Sequence, residues 1–176
     1  GYEFTASAYR EMGDTAQWIA ELQEGVKKYP DHNYFVGNLL DYYNNSGKFD
    51  EALKFANDMV TKDPNDSFMQ YVKGYLCQNL KKYDDAITAY KAAIAIKPDY
   101  AEAHSNLGLV YCTQARDYQD KMPTNLSNAQ YKKELEVVKG YYREARPHYE
   151  KVRELKPAEQ QMWLNGLYSI YYMLNM

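Results

Sequence analysis

Cysteine is nearly absent from this chain, with two among 176 residues. Two thiols can neither staple a small scaffold nor supply a multi-cysteine zinc site. Histidine is almost as scarce, at three, which leaves little from which to build a metal centre. Long apolar runs are missing. Mean hydropathy is −0.74, and no stretch approaches the roughly 18 apolar residues of a membrane-crossing helix. An excess of positive charge is missing too. Lys and Arg number 21 against 24 Asp and Glu, a net charge of −3. No basic field exists to collect phosphates, so a nucleic-acid partner is not expected. No phosphate-cradling loop is present, since Gly25, Gly37 and Gly166 stand alone. What the chain does have is tyrosine, 20 residues of it, in a sequence that is 45% hydrophobic. That suffices for the core of one domain or one short repeat array.

Proline supplies a ruler for repeats. Pro30, Pro64 and Pro98 are spaced by 34 and 34, and Pro157 follows 59 later, one period plus 25. Other residue types keep the same period and the same interruption. Ala52 and Ala86 are followed by Ala145; Gly74 and Gly108 are followed by Leu167. Tyr9, Tyr43, Cys77 and Tyr111 share one phase, and Phe49, Tyr83 and Tyr142 another. Small residues such as Gly74, Ala86 and Ala93 let helices approach, and Tyr83 and Tyr90 fill the space between them. Gly13 and Gly47 stand where a first helix must stop, because glycine tolerates the left-handed closing turn. Asp14 and Asp31 are placed to cap the helices that follow. Asp50-Glu51 and Asp84-Asp85 put negative charge on the first turns of second helices, where the helix dipole favours it.

Residues 67–98 resemble the tetratricopeptide repeat through Gly74, Tyr83, Ala86, Tyr90, Ala93 and Pro98. Residues 33–64 match through Leu39, Tyr43, Gly47, Phe49, Ala52 and Pro64, and depart at Leu40 and Met59, where small residues are usual. The first repeat is the most divergent, with Trp18 where Ala is expected. The resemblance, to a bacterial repeat protein of this kind, implies an all-α fold: a right-handed α-solenoid of antiparallel helix pairs. The whole chain, 1–176, reads as one array. Its repeats span about 1–32, 33–66, 67–100 and 101–159, with a partial repeat at 160–176. The chain opens at Gly1, and Tyr2, Glu3 and Phe4 read as mid-helix residues, as in a piece of a longer polypeptide.

The extra 25 residues, near 116–140, fall inside the fourth repeat. Tyr131, Leu135, Val138, Tyr142, Ala145, Tyr149 and Val152 follow one another at steps of four and three. That is one continuous helical stripe. The insertion therefore predicts two lengthened helices rather than a loose loop, each longer by about ten residues, or about 15 Å. The turn is expected at residues 122–125, with Thr124 or Ser127 as cap. Pro147 predicts a bend in the second arm.

No catalytic group stands out. His32, His104 and His148 lie on different segments and are not expected to converge; Cys77 reads as core, and Cys112 as facing the groove. No metal and no cofactor is expected. The resemblance implies a noncatalytic scaffold that holds a peptide or partner helix against the first helices of its repeats. Transferring the family's concave positions gives Tyr34, Asn38 and Asp41 in the second repeat, Phe68, Tyr71 and Tyr75 in the third, and Asn106 and Leu109 in the fourth. Co-chaperone members of the family clamp a C-terminal carboxylate with Lys, Arg and Asn at four such positions. No Lys or Arg occupies them in repeats two to four, so an apolar or aromatic segment is the expected ligand, stacked on tyrosines and bonded by Asn38 and Asn106. The alternative reading is a carbohydrate-binding or envelope-assembly module of a bacterial outer-membrane system, because tyrosine rows also stack on sugars. The composition suggests a periplasmic or cell-envelope setting, with the cytoplasm as the other option. The last helix, with Met162, Leu164, Tyr168, Tyr171 and Tyr172 beside its Trp163, Leu167, Ile170 and Leu174 stripe, is apolar all round. It and the extended hairpin are candidate contacts with a second copy.

Overall fold

The structure is a computed structural model that describes residues 1–29 and 32–175, and for Asn33 the backbone alone. Pro30, Asp31 and Met176, and with them the cap expected at Asp31, lie outside the described residues. The chain forms two compact units, Gly1–Asp63 and Pro64–Met176. Among the described residues there is no strand. The first unit holds α1 (Tyr2–Glu11), α2 (Thr15–Lys28), α3 (Asn33–Ser46) and α4 (Phe49–Lys62). The second holds α5 (Ser67–Asn79), α6 (Tyr83–Ile96), α7 (Ala101–Asp120), α8 (Asn128–Leu155) and α9 (Leu164–Asn175), with a 3-10 turn at Gln160–Met162. The all-α class of paired helices, with one pair extended, is thus what the sequence period predicts.

Three hairpin turns repeat one device at the 34-residue period. Asp14 N–H donates to the Tyr9 carbonyl, Lys48 N–H to that of Tyr43, and Lys82 N–H to that of Cys77. Each bond spans six residues and needs a left-handed residue between. Gly13 (φ +74°) and Gly47 (φ +66°) supply it in the first two turns, but Lys81 (φ +57°) does so in the third. Asp14 caps α2 by accepting from Gln17 N–H at 3.2 Å, and Asp66 caps α5 through Met69 N–H at 3.0 Å.

Close approach of the pairs rests on glycine meeting a ring. A Cβ on Gly74 would lie 2.6 Å from Tyr90, and one on Gly108 would lie 2.7 Å from Tyr149. The same phases in the earlier pairs carry Ala6 with Leu22 and Leu40 with Ala56. One partner is large and the other small each time. Leu40, the largest occupant of the glycine phase, goes with the pair whose helices lie least closely together, α3 and α4. Trp18 takes the place of a small residue by turning edge-on to Tyr42, with ring centroids 5.8 Å apart, beneath the Arg10 guanidinium.

The insertion lengthens the fourth pair without loosening it. α8 runs 28 residues without a break and passes through Pro147. Ser127 caps it in a reciprocal box with Gln130 (Gln130 N–H to Ser127 Oγ, 3.3 Å; Ser127 N–H to Gln130 Oε1, 3.0 Å). Val138, Tyr142, Ala145, Tyr149 and Val152 of the expected stripe are buried, Leu135 is half-buried and Tyr131 is exposed. The arm is joined across by Tyr118 donating to Glu134 and by the rings of Tyr118 and Tyr141.

The last helix departs from expectation at its start. It does not begin at Gln160; a 3-10 turn precedes it and α9 opens at Leu164. Trp163 causes the break. Its φ, ψ of −140°, −27° are not helical, and its indole N–H reaches back to the Lys156 carbonyl at 3.2 Å. The offset brings Gly166, rather than Leu167, against Tyr149, where a Cβ would lie 2.5 Å from the ring. Tyr149 is thereby held between two glycines. The isolated Gly25 has a related use: a Cβ there would lie 2.2 Å from Phe35.

Candidate functional site

In the first unit, the expected site residues Tyr34, Asn38 and Asp41 follow one another at helical steps of four and three, and the first two are tied to each other and to α1. Tyr34 Oη and Ser7 Oγ are 2.8 Å apart, which joins α3 to α1. Asn38 donates to the Tyr34 carbonyl at 2.8 Å and accepts from Arg10 at 3.4 Å. Asp41 is exposed.

In the second unit, the first helices of successive pairs, α5, α7 and α9, lie side by side. Phe68, Tyr71 and Tyr75 on α5 are all half-buried. Tyr71 is the hub. Its ring lies 5.1 Å from that of Tyr100, 5.9 Å from Tyr90 and 6.4 Å from Phe68. Asn106 of α7 donates to its hydroxyl at 3.2 Å, while burial raises the Tyr71 pKa. Tyr71 and Asn106 therefore spend much of their capacity holding α5 to α7. Leu109, one turn below, points to solvent.

Between α7, α8 and α9 lies a cleft of about 290 Å³. Its α7 wall is Ser105, Leu109, Cys112 and Arg116, which are steps of four, three and four along one helix face. Tyr142 and Tyr149 form the α8 side; Gln161, Met162, Asn165, Gly166 and Ser169 close it from the last helix and its leading turn. Ser105 donates to the Met162 carbonyl at 2.9 Å and so fixes one edge. Cys112 does face this space, as its spacing predicts, and is nearly buried. Desolvation pushes its thiol up to about 11, the Arg116 charge opposing. Tyr149 is raised for the same first cause, burial. Cys77 is core, and both thiols are free.

Arg116 was not among the expected site residues. The 34-residue period puts it on the phase of Lys48 and Lys82, which end the hairpin turns of the shorter pairs, whereas the lengthened α7 carries Arg116 inside a helix. The signal that finds it is the helical step from Cys112. A second departure concerns histidine. His104 and His148 do converge, with Nδ1 atoms 3.1 Å apart. Separation of 44 residues concealed this, since 25 of those belong to the inserted arm.

Beyond the cleft, α9 exposes Leu164, Tyr168 (73%) and Tyr172 (60%) along one stripe. Tyr171 instead donates to Glu150 of α8 at 2.9 Å and lies over Arg146.

A family model described as tetratricopeptide repeat matches residues 5–67, and one described as TPR repeat matches residues 74–114, together more than half of the chain. The chain belongs to the tetratricopeptide repeat family. Solved structures with the same fold include MamA, at a TM-score of 0.60 and 22% identity, over 89% of this chain and 77% of that one. A MamA fragment, 41-end, from Desulfovibrio magneticus RS-1 gives a TM-score of 0.56 and 18% identity, over 90% and 75%. The first TPR of Spaghetti (RPAP3), bound to the HSP90 peptide SRMEEVD, gives 0.58 and 22%, over 77% and 87%. No curated protein matches the sequence. At these identities the structures show the fold alone. The tetratricopeptide repeat is a protein-interaction fold, and that is the class of function this chain has.

Proposed function

We propose that the second unit is a noncatalytic receptor for an extended, apolar or aromatic segment of a partner protein, held along α5, α7 and α9. The observation that carries this reading is where large apolar side chains remain exposed. Leu109 on α7 and Leu164 on α9 fall on positions that the repeat register assigns to the inner wall, and Tyr168 and Tyr172 continue the Leu164 stripe along α9. The other large exposed apolar residues of the unit, Ile96, Tyr131 and Val137, lie on α6 and the inserted arm. A concentration of this kind on one wall is the mark of a contact surface. Tyrosine suits it, because its ring contributes apolar area while its hydroxyl stays wet. Phe68, Tyr71 and Tyr75 continue the wall on α5, with Asn106 beside them. Tyr34, Asn38 and Asp41 form the corresponding face of the first unit. The RPAP3 repeat, solved with a peptide bound, supports a peptide as the class of ligand.

The test is selection of displayed random dodecapeptides on the intact protein, with soluble glycans offered in parallel. Selected peptides should bind at least about tenfold more weakly after Tyr168→Ala with Tyr172→Ala. Both tyrosines are exposed, so the variant should fold. Equal affinity for the variant would overturn the wall, and retention of glycans in place of peptides would replace the reading.

A further inference from the structure

The last helix is covered on one side only. Leu167 and Ile170 of α9 are buried, and Gly166 meets the Tyr149 ring of α8. On the opposite side Leu164, Asn165, Tyr168, Tyr172 and Asn175 are exposed. Asn165, Tyr168, Tyr172 and Asn175 follow one another at steps of three, four and three. That is the spacing of a seam between two packed helices. The face also lacks charge. Among the described residues α9 is the one α-helix without an Asp, Glu, Lys or Arg, in a chain that is 26% charged. Depletion of charge belongs to the centre of an interface rather than to a solvated surface. A shallow recess of about 360 Å³ opens on this helix between Tyr168, Tyr171, Tyr172 and Asn175. Those positions are i, i+3, i+4 and i+7, the four that frame the hole for a knob from a facing helix. Tyr171 donates to Glu150 of α8 at 2.9 Å, which fixes one wall of the hole.

The seam itself names the occupant. Its residue types, Asn, Tyr, Tyr and Asn, read the same in both directions about Ile170. A two-fold axis at Ile170 would run two copies of α9 antiparallel. It would pair Asn165 with Asn175 and Tyr168 with Tyr172, so each type meets its own kind. It would also carry Tyr168 of each copy onto the recess of the other. Self-complementarity of this kind is what a two-fold contact requires. Charge agrees with it. Two copies, each of net charge −3, approach best where no like charges face each other. From this we infer that α9 is a self-association surface, and that its partner is α9 of a second copy of this chain, packed antiparallel. The face offers about 500 Å² per copy, about 1,000 Å² for the pair, the size of a reversible contact rather than a permanent one. The inference goes beyond the peptide reading and does not need it. The two share Tyr168 and Tyr172, so a second copy and a bound segment compete for α9.

Sedimentation velocity of the intact chain, without peptide and from about 1 to 300 µM, is the test. The mass should rise with concentration from 20.6 kDa towards twice that. Tyr168→Glu puts a carboxylate into each recess and should weaken association by at least about tenfold. Asn165→Lys with Asn175→Lys sets like charges opposite one another at both ends of the seam, and should weaken it similarly. Asn165→Lys with Asn175→Glu sets opposite charges there, and should associate at least as tightly as the natural chain. All these positions are exposed, so circular dichroism should not change. A monomer at every concentration, or association that Tyr168→Glu leaves intact, would overturn the inference. So would an opposite-charge variant as weak as the like-charge one. Peptides retained by a chain that never dimerises would give α9 to the partner segment and leave the wall standing. A dimer that retains no peptide would remove the peptide reading and leave this one.

Discussion

His104 and His148 face each other, Nδ1 to Nδ1, at 3.1 Å between α7 and α8. Their proton assignment follows from a third group. His104 Nε2 lies 3.0 Å from the Pro98 carbonyl, which can only accept, so that nitrogen carries the proton. The direction of the Nδ1–Nδ1 contact is set by the tautomers of the two rings. Tyr111 stacks on the His148 ring.

This pair makes stability depend on pH. Burial, then the neighbouring His104 and Lys91, lowers the His148 pKa to about 4. Its unfolded value is about 6.5. Between those values the unfolded chain binds a proton that the folded chain refuses, so stability falls as pH drops through 6.5 towards 4. The ring is partly exposed, so the expected loss is roughly 2 kcal/mol rather than the full shift. Urea unfolding at pH 7.5 and 4.5 measures it. His148→Gln should lose less than the natural chain between the two; equal losses would remove the pair from the explanation.

Lys81 is a second local cost. It holds φ +57° in a turn where the two earlier repeats use Gly13 and Gly47. A non-glycine residue in the left-handed region is strained, although the added freedom of glycine in the unfolded chain offsets part of the relief. Lys81→Gly should raise stability by about 0.5–1 kcal/mol. A melting temperature that stays level or drops would show that the lysine is relaxed there.

How much of this could be read from residues alone depends on the range of the signal. The period, the paired helices, the lengthened arm and the caps at Asp14 and Ser127 are local, and the order of residue types carries them. Lys81 fits a glycine phase but disguises it. The His104–His148 contact crosses the inserted arm, and only subtracting 25 residues puts Tyr149, the neighbour of His148, on the phase of Tyr90 and so opposite Gly108. Arg116 shares the phase of Lys48 and Lys82, which end hairpin turns, so the template of 34 reads it as a turn residue, whereas the helical step from Cys112 places it on the cleft face of α7. The exposed Tyr168 and Tyr172 were visible as an over-apolar helix, but which of its faces is covered depends on Trp163 breaking the helix start.

Cys112 offers a probe of the cleft. With its thiol pushed up to about 11, the thiolate fraction at pH 8 falls about a hundredfold below that of a thiol at 9. In a Cys77→Ser background, a thiol reagent should modify the native chain far more slowly than the urea-unfolded one. Native labelling at the unfolded rate would mean that the cleft is open to solvent at that depth.

The glycine–ring contacts predict a coupled pair. Tyr90 is wholly buried, its hydroxyl 2.8 Å from Gln78 Oε1, so its ring has nowhere to move. Gly74→Ala would place a Cβ 2.6 Å from it. Overpacking of this kind costs about 1–3 kcal/mol. The first helix pair already shows another solution at the same two phases, Ala6 with Leu22, both fully buried. Tyr90→Leu alone should destabilise by leaving a cavity and orphaning Gln78. In that background, however, Gly74→Ala should cost much less, since the ring it would strike is gone. A double-mutant cycle by chemical denaturation should give a favourable coupling of about 1 kcal/mol or more. Strict additivity would mean that the glycine is there for the helix backbone and not for the ring.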